Sequence, residues 1–280
     1  MNISSAGGAA GAGSAAAAGK GRTSTISSLL GVWALFLAFL LLQIGNGLQR
    51  ILLPMRAESE GFGAGAMGMV MGVHFAGFLL GAKGITRALA SVGHIRVFAA
   101  LASTASTAVL INAVLVLPAT WAAVYFVGGV CNAGVFVILE SWLNDRATNE
   151  TRGSILGAYM MVMMGGTAIG QLLLNLGSPD GFELFVLSSV LISLAVVPVT
   201  LSASTAAPVP SSEAMPLREL YRTIPAAVVG IMLCSFVQAA STSMAAVYGT
   251  ASGLGAGRIT LFTSAAVIGA ITLQIPLGRL

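Results

Sequence analysis

Eight apolar blocks, each about as long as a membrane-spanning helix, dominate the sequence. They cover residues 29–48, 66–86, 97–117, 121–140, 154–175, 183–201, 224–248 and 258–277. A helix needs about 20 mostly apolar residues to cross the hydrocarbon core, and only helices and closed barrels satisfy their backbone polar groups in lipid. Because the blocks lack the alternating polar pattern of barrel strands, the sequence predicts an all-α, polytopic helical membrane protein.

Composition supports a membrane protein and argues against an enzyme or a nucleic-acid-binding protein. Only 8% of the residues are charged, whereas soluble domains carry about 25%. The basic residues occur in ones and twos and form no dense patch of the kind that binds nucleic acid. The sequence shows no phosphate-binding loop, no His/Cys metal cluster and no nucleophile with a convincing base. We therefore expect the lipid bilayer as a partner, and no nucleic acid, catalytic residue, metal or cofactor.

The distribution of lysine and arginine predicts the orientation in the membrane. If the N-terminal tail is cytoplasmic, ten of the thirteen Lys and Arg residues lie on the cytoplasmic side. Arg50, Arg56 and Arg258 lie on the other side. Cytoplasmic loops carry an excess of these residues. The sequence therefore predicts a cytoplasmic N-terminus.

Two polar segments divide the chain. Residues 1–28 are rich in Ala, Gly and Ser and are predicted to form a disordered cytoplasmic tail. Residues 202–223 are the longest internal polar segment and are predicted to be a cytoplasmic linker. The linker separates six apolar blocks, in residues 29–201, from two more in residues 224–280. This arrangement is typical of a transporter built from two halves.

Repeats of small residues support the two-half interpretation. G-F-G-A-G at Gly61–Gly65 opens the second block, and G-L-G-A-G at Gly253–Gly257 opens the eighth. These are equivalent positions in a transporter of two halves, although chance similarity among Gly-rich helix ends is the alternative. Gly166 and Gly170 have the spacing that allows two membrane helices to approach closely.

Four segments carry a family resemblance. They are E-S-W-L-N-D-R-A-T-N-E-T-R-G at Glu140–Gly153, Y-M at Tyr159 and Met160, G-Q-L-L-L-N at Gly170–Asn175, and V-G-H-I-R-V-F-A at Val92–Ala99. They resemble the YcaD-like branch of the major facilitator superfamily (MFS). The resemblance implies a bacterial inner (plasma) membrane protein with two six-helix bundles and a substrate path between them. Against that pattern, the chain has the N-terminal six-helix bundle plus the first two helices of the C-terminal bundle, as if truncated after the eighth helix.

The resemblance implies transmembrane transport of a small solute by alternating access, with the solute and any coupling ion left open. The alternative is a truncated or defective transporter fragment without transport activity of its own. Because two helices represent the second bundle, we expect the chain ending at Leu280 to pack its first six helices without transporting. The sequence also departs from the superfamily pattern, since no acidic residue occurs between Glu60 and Glu140.

Polar side chains at membrane depth are the candidates for the substrate path, because such residues usually face a bundle interior or a water-filled route. Gln43, Asn46 and Arg50 share one helical face. MFS proteins line their cavity with the first, fourth and seventh helices. The candidates are Gln43, Asn46, Asn132, Gln238 and Ser241. Two alternatives stay open: the polar groups bond neighbouring helices only, and Arg50 extends to the membrane interface.

Ionisable residues suggest two further sites. His74 lies in the middle of the second block and is a candidate proton relay, with a neutral packing residue as the alternative. Arg87, Arg96, Glu140 and Arg152 lie on the predicted cytoplasmic side and are candidates for a cytoplasmic gate held by ion pairs. The alternative is a solvated loop, in which exposed ion pairs contribute about 0–1 kcal/mol.

Overall fold

The computed structural model describes residues 33–148, 151–201 and 217–277. These residues form α-helices, with no strand in the described ranges. The helices are α1 (Trp33–Ser59), α2 (Ala64–Val92), α3 (His94–Val114), α4 (Pro118–Arg146), α5 (Arg152–Leu172), α6 (Glu183–Leu194), α7 (Val196–Leu201), α8 (Leu217–Thr223), α9 (Pro225–Ala251) and α10 (Ala256–Leu277). A 3-10 turn, Leu173–Leu176, follows α5. The prediction of an all-α fold is confirmed.

Within the described residues, six segments are long and apolar enough to cross a membrane. Five of them contain α1 to α5, and the sixth, Glu183–Leu201, contains α6 and α7. The seventh and eighth apolar blocks form α9 and α10. The chain is therefore a multi-pass helical membrane protein.

Several helix boundaries differ from the prediction, and the sequence explains two of the differences. The first block was predicted to end at residue 48, but α1 continues to Ser59. Arg50 interrupts the apolar run, yet Ile51 and Leu52 are buried in the core, so the helix continues beyond the charge. The sixth block is divided at Ala195. Pro198 explains the division, because a proline has no N–H to donate and its ring clashes with the carbonyl four residues earlier.

The predicted linker is partly helical. Residues 217–223 form α8, whereas residues 202–216 lie outside the described part of the chain. The predicted tail, residues 1–28, also lies outside it. The division into a six-helix bundle, a linker and two further helices stays a prediction.

The helices of the first bundle (α1–α7) pack in a repeated pattern. The helix α1 packs along α5, as α4 packs along α2. In the same way α1 packs on α6, as α4 packs on α3, and α3 contacts α6 between the two pairs. Exchanging α1, α2 and α3 for α4, α5 and α6 therefore reproduces the contacts. Two inverted three-helix units related by a pseudo-two-fold axis produce this pattern.

Glycines bring α2 and α4 into backbone contact. A Cβ atom placed at Gly81 on α2 would lie 2.6 Å from the carbonyl oxygen of Val130 on α4. In the opposite direction, a Cβ atom at Gly129 on α4 would overlap the backbone carbonyl oxygen of His74 on α2. Small residues at an interface let membrane helices approach this closely. Both positions therefore require glycine for packing, without any need for an unusual backbone angle.

The pair α1 and α5 repeats this arrangement. A Cβ atom at Gly170 on α5 would overlap the carbonyl oxygen of Ile44 on α1. Gly47 on α1 in turn faces the backbone of Thr167, and Gly166 faces the Cβ atom of Gln43. The predicted close approach of two helices at Gly166 and Gly170 is confirmed.

Two apolar clusters fill the bundle. One lies at the end where α1 begins and includes Phe39, Phe98 and Trp142, with the ring of Phe39 stacked on Tyr159 at 5.0 Å between centroids. The other lies toward the opposite end and includes Trp121. Between the two clusters, α1, α2 and α4 carry polar side chains.

Candidate substrate cavity

A cavity of about 580 Å³ opens between α1, α2, α3, α4 and α9. Polar side chains line one part of it, and Met71, Phe75, Val124 and Ile231 supply apolar walls. The volume is in the range of small-molecule sites, about 300–1,000 Å³. The cavity therefore has the size and the mixed lining of a site for a small solute.

An amide pair links α1 to α4 at the cavity wall. The Nδ2 group of Asn46 donates a hydrogen bond to Oδ1 of Asn132 at 3.0 Å, and lies 3.4 Å from Oε1 of Gln43. Asn46 and Asn132 line the cavity, whereas Gln43 is buried and does not. An amide side chain has two N–H donors and an oxygen acceptor, so this bond uses only part of the capacity of the pair. The remaining groups are available to a solute.

His74 also lines the cavity and is oriented by the backbone of α4. Its Nδ1 atom lies 3.1 Å from the carbonyl oxygen of Tyr125, and the two rings are 5.1 Å apart between centroids. A carbonyl oxygen only accepts, so Nδ1 carries the proton and Nε2 is left as the second exchangeable position. This geometry is compatible with proton transfer at Nε2. The proton relay itself stays a prediction.

The cavity wall contains a positive charge, Arg50 on α1. His74 and Tyr125 line the same cavity as Arg50. The next arginine of the helix, Arg56, is paired with Glu60 at 2.6 Å. Among the residues that the structure describes, no carboxylate forms an ion pair with Arg50. The structure therefore places Arg50, which is exposed, in the lining of the candidate path, and its extension to the membrane interface stays an alternative prediction.

The helix α9 closes one side of the cavity. Ile231, Cys234, Ser235 and Gln238 line it, and their spacing of three to four residues puts them on one helical face. Ser241, the fifth substrate-path candidate, is exposed on α9 but does not line the cavity. The structure thus brings Asn46, Asn132 and Gln238 to one cavity and leaves Ser241 outside it.

The gate candidates lie together at the other end of the bundle, where α2 and α4 end and α3 and α5 begin. All four are exposed: Arg87, Arg96, Glu140 and Arg152. Oε1 of Glu140 accepts a hydrogen bond from the Tyr159 hydroxyl at 3.3 Å, and Nη2 of Arg152 donates to Oδ1 of Asn144 at 3.1 Å. Within the described residues Glu140 and Arg152 do not form an ion pair with each other. Their function as a gate stays a prediction.

Sequence comparison connects this architecture with known proteins. No family model matches the chain. The chain is 26% identical over 252 residues to an MFS-type transporter YcaD of Escherichia fergusonii, and the alignment covers 89% of this chain. Most of the chain is therefore similar to a transporter of the major facilitator superfamily. The similarity therefore extends over the membrane-spanning helices and the cavity that they form.

Other relatives in the superfamily match shorter parts of the chain. An MFS-type transporter of Enterobacter sp. (strain 638) is 32% identical over 145 residues, which is 51% of this chain. One of Yersinia pestis (strain Pestoides F) is 29% identical over 168 residues, or 60% of this chain. The chain spans 66%, 38% and 44% of the lengths of the Escherichia, Enterobacter and Yersinia relatives.

Three polar lining residues of this cavity were not singled out from the sequence. They are Gln49, Cys234 and Ser235. The signal that would have found two of them is helical spacing, because Gln49 follows Asn46 by three positions and Ser235 precedes Gln238 by three. Cys234 carried no such signal, since a cysteine within an apolar block is usually a packing residue.

Proposed function

We propose that this chain belongs to a bacterial inner-membrane transporter that moves a small solute through the cavity by alternating access. The observation that carries the proposal is the position of the cavity, between α1–α4 and α9, the apolar helix that follows the predicted linker. Alternating access needs a binding site between two halves that rock against each other. A coupling proton would meet His74 in the same cavity.

Binding and uptake together test this proposal. The chain is reconstituted into proteoliposomes and exposed to radiolabelled monocarboxylates, amino acids, sugars and organic cations. Saturable binding accompanied by uptake supports transport by the chain. Binding without uptake supports the alternative, a membrane protein that has the site but no transport activity of its own. Absence of saturable binding for every class of solute would contradict the proposal.

We expect the Asn132→Leu substitution to weaken solute binding about tenfold, or about 1.4 kcal/mol. The substitution removes one amide of the cavity wall and the partner of Asn46. Equilibrium binding of the best solute of the panel measures the loss. Thr104→Val is the matched control, because Thr104 is an exposed polar residue whose hydroxyl donates to the carbonyl of Ala100 in its own helix, and it does not line this cavity. Equal binding by the two variants would exclude the amide pair from the site.

The proposed orientation has a separate test. Reporter fusions placed after Pro118, at the start of α4, and after Arg218, in α8, are expected to give opposite signals in the bacterial inner membrane. The expectation rests on the excess of Lys and Arg at one end of the bundle. An alkaline phosphatase fusion should be active only after Pro118, and a fluorescent protein only after Arg218. The same side reported by both fusions would show that the topology is wrong.

We also propose that Glu140 and Arg152 act in a cytoplasmic gate. Replacing Glu140 by arginine is expected to lower transport at least several-fold in a transporting form, and the further change Arg152→Glu should restore part of it if the two charges pair in another conformation. Tyr159→Phe separates charge from hydrogen bonding, because it removes the hydroxyl that bonds Glu140 and leaves the carboxylate. Unchanged transport in the Glu140→Arg protein would exclude the gate.

A further inference from the structure

We propose that the cavity selects organic anions, and that its solute is a small carboxylate with an apolar body whose carboxylate binds Arg50. This inference rests on the proposed function, because it assigns a class of solute to the same cavity. The observation behind it is a charge imbalance. The described lining contains an arginine and no aspartate or glutamate.

Acidic residues are scarce along the whole length of the helices that form the cavity, as well as in its lining. The helices α2, α3 and α9 contain no acidic residue along their whole length. The acidic residues of α1 and α4 are Glu58, Glu140 and Asp145, which lie near helix ends and do not line the cavity. No rotation of a side chain on these five helices therefore brings a carboxylate to the middle of the cavity.

The Arg50 side chain is exposed and lines the cavity with no carboxylate in the described lining, and the attraction of such a charge for an anion increases as the surroundings become less polar. Arg56 shows the compensated case on the same helix, since it pairs with Glu60 at 2.6 Å. A bound carboxylate would give Arg50 a negatively charged partner, as Glu60 does for Arg56. The planar guanidinium also matches a carboxylate with two parallel hydrogen bonds.

The rest of the lining specifies the other parts of the solute. Asn132 also lines the cavity, and its Nδ2 group, which the bond to Asn46 does not use, can donate to a carboxylate oxygen. Phe75, Val124 and Ile231 provide apolar walls. A solute that combines one carboxylate with an aromatic or aliphatic body satisfies both kinds of surface, whereas a cation would meet Arg50 without compensation.

The reactivity of a cysteine in the cavity lining can be used to measure the electrostatic potential there. Cys234 is exposed and lines the cavity, whereas Cys131 is buried in α4. An anionic methanethiosulfonate reagent bearing a sulfonate should modify Cys234 about tenfold faster than a cationic one bearing a trimethylammonium group. Each rate is first divided by the rate of the same reagent with a free thiol in solution. Cys234→Ser identifies the labelled position, and an unreactive Cys131 in each variant shows that the bundle is intact.

Arg50→Gln should bring the ratio of the two rates close to one, and Arg50→Lys should preserve most of the preference for the anion. Arg56→Gln is the matched control, because it removes a charge of the same helix that is already paired and does not line the cavity. An unchanged ratio in the Arg50→Gln protein, or a faster reaction with the cationic reagent in the native chain, would overturn the inference.

Three solutes of similar shape then test recognition: phenylacetate, phenylacetamide and phenethylammonium. Phenylacetate should protect Cys234 from neutral N-ethylmaleimide at concentrations at least about tenfold lower than the other two, and Arg50→Gln should abolish the difference. Equal or better protection by the amide or the ammonium would overturn anion selection while leaving a solute cavity in place. Protection by none of the three also overturns it, and the broader solute panel separately decides whether the cavity binds any solute.

Discussion

Replacing Gly129 by alanine is expected to prevent stable assembly of the first bundle, whereas the same change at the neighbouring Gly128 should leave it intact. A methyl group at Gly129 would overlap the backbone carbonyl oxygen of His74, but at Gly128 it would meet no atom within 4 Å. Overpacking of this kind typically costs about 1–3 kcal/mol and occasionally more. We expect the upper end, because the atoms that would have to move belong to the backbone of α2.

The measurement is thermal unfolding of the purified chain in detergent, with size-exclusion chromatography to detect misassembled protein. Gly170 and Gly165 provide a second matched pair on α5, since a methyl group would overlap the carbonyl oxygen of Ile44 at Gly170 and meet nothing within 4 Å at Gly165. Gly170→Ala should therefore unfold at a much lower temperature than Gly165→Ala. Equal stability within either matched pair would contradict the close approach described for that helix pair.

Filling the cavity should abolish solute binding without unfolding the bundle. Gly128 lines the cavity and has open space beside it, so a tryptophan at this position would project into the volume that the solute is proposed to occupy. We expect the Gly128→Trp substitution to lower both solute binding and the labelling of Cys234 at least about tenfold, because the indole displaces the ligand and removes the route to the thiol.

Gly165→Trp is the control for this substitution. Gly165 also has open space beside it, but it lies on α5 and does not line the cavity. The control variant should bind solute and react at Cys234 as the unmodified chain does, and both variants should retain a buried, unreactive Cys131. Normal solute binding by a well-folded Gly128→Trp protein would show that the solute binds elsewhere.

The helices could be predicted from the sequence because the membrane imposes a minimum apolar length on each. Their ends were less predictable, since the apolar run reports burial in lipid and not the hydrogen bonding of the backbone. Arg50 ended the first run, but the buried Ile51 and Leu52 continue the helix to Ser59. Pro198 could have predicted the division at Ala195, but a count of apolar residues does not take account of proline's effect on the helix.

The sequence predicted which types of residue form the site, but not which of these residues contact each other. Asn46 and Asn132 were both singled out, yet their hydrogen bond joins residues 86 positions apart. The alignment of α1 with α4 that allows this bond depends on how both helices pack against their neighbours. Gln43 and Ser241 are both polar and were both candidates, but Gln43 is buried, Ser241 is exposed, and neither lines the cavity. Polarity within an apolar block therefore does not determine which face of a helix borders the cavity.

The glycine contacts also determine which substitutions a second change elsewhere in the protein can repair. At Gly134 the neighbouring atoms belong to the side chains of Leu101 and Ile85, so a smaller residue at either position can make room for a larger one. At Gly129 the neighbours are backbone atoms of His74 and Phe78, which every amino acid possesses. A genetic screen for suppressors should therefore recover compensating changes on α2 and α3 for Gly134 variants, whereas Gly129 variants should be rescued only by reversion.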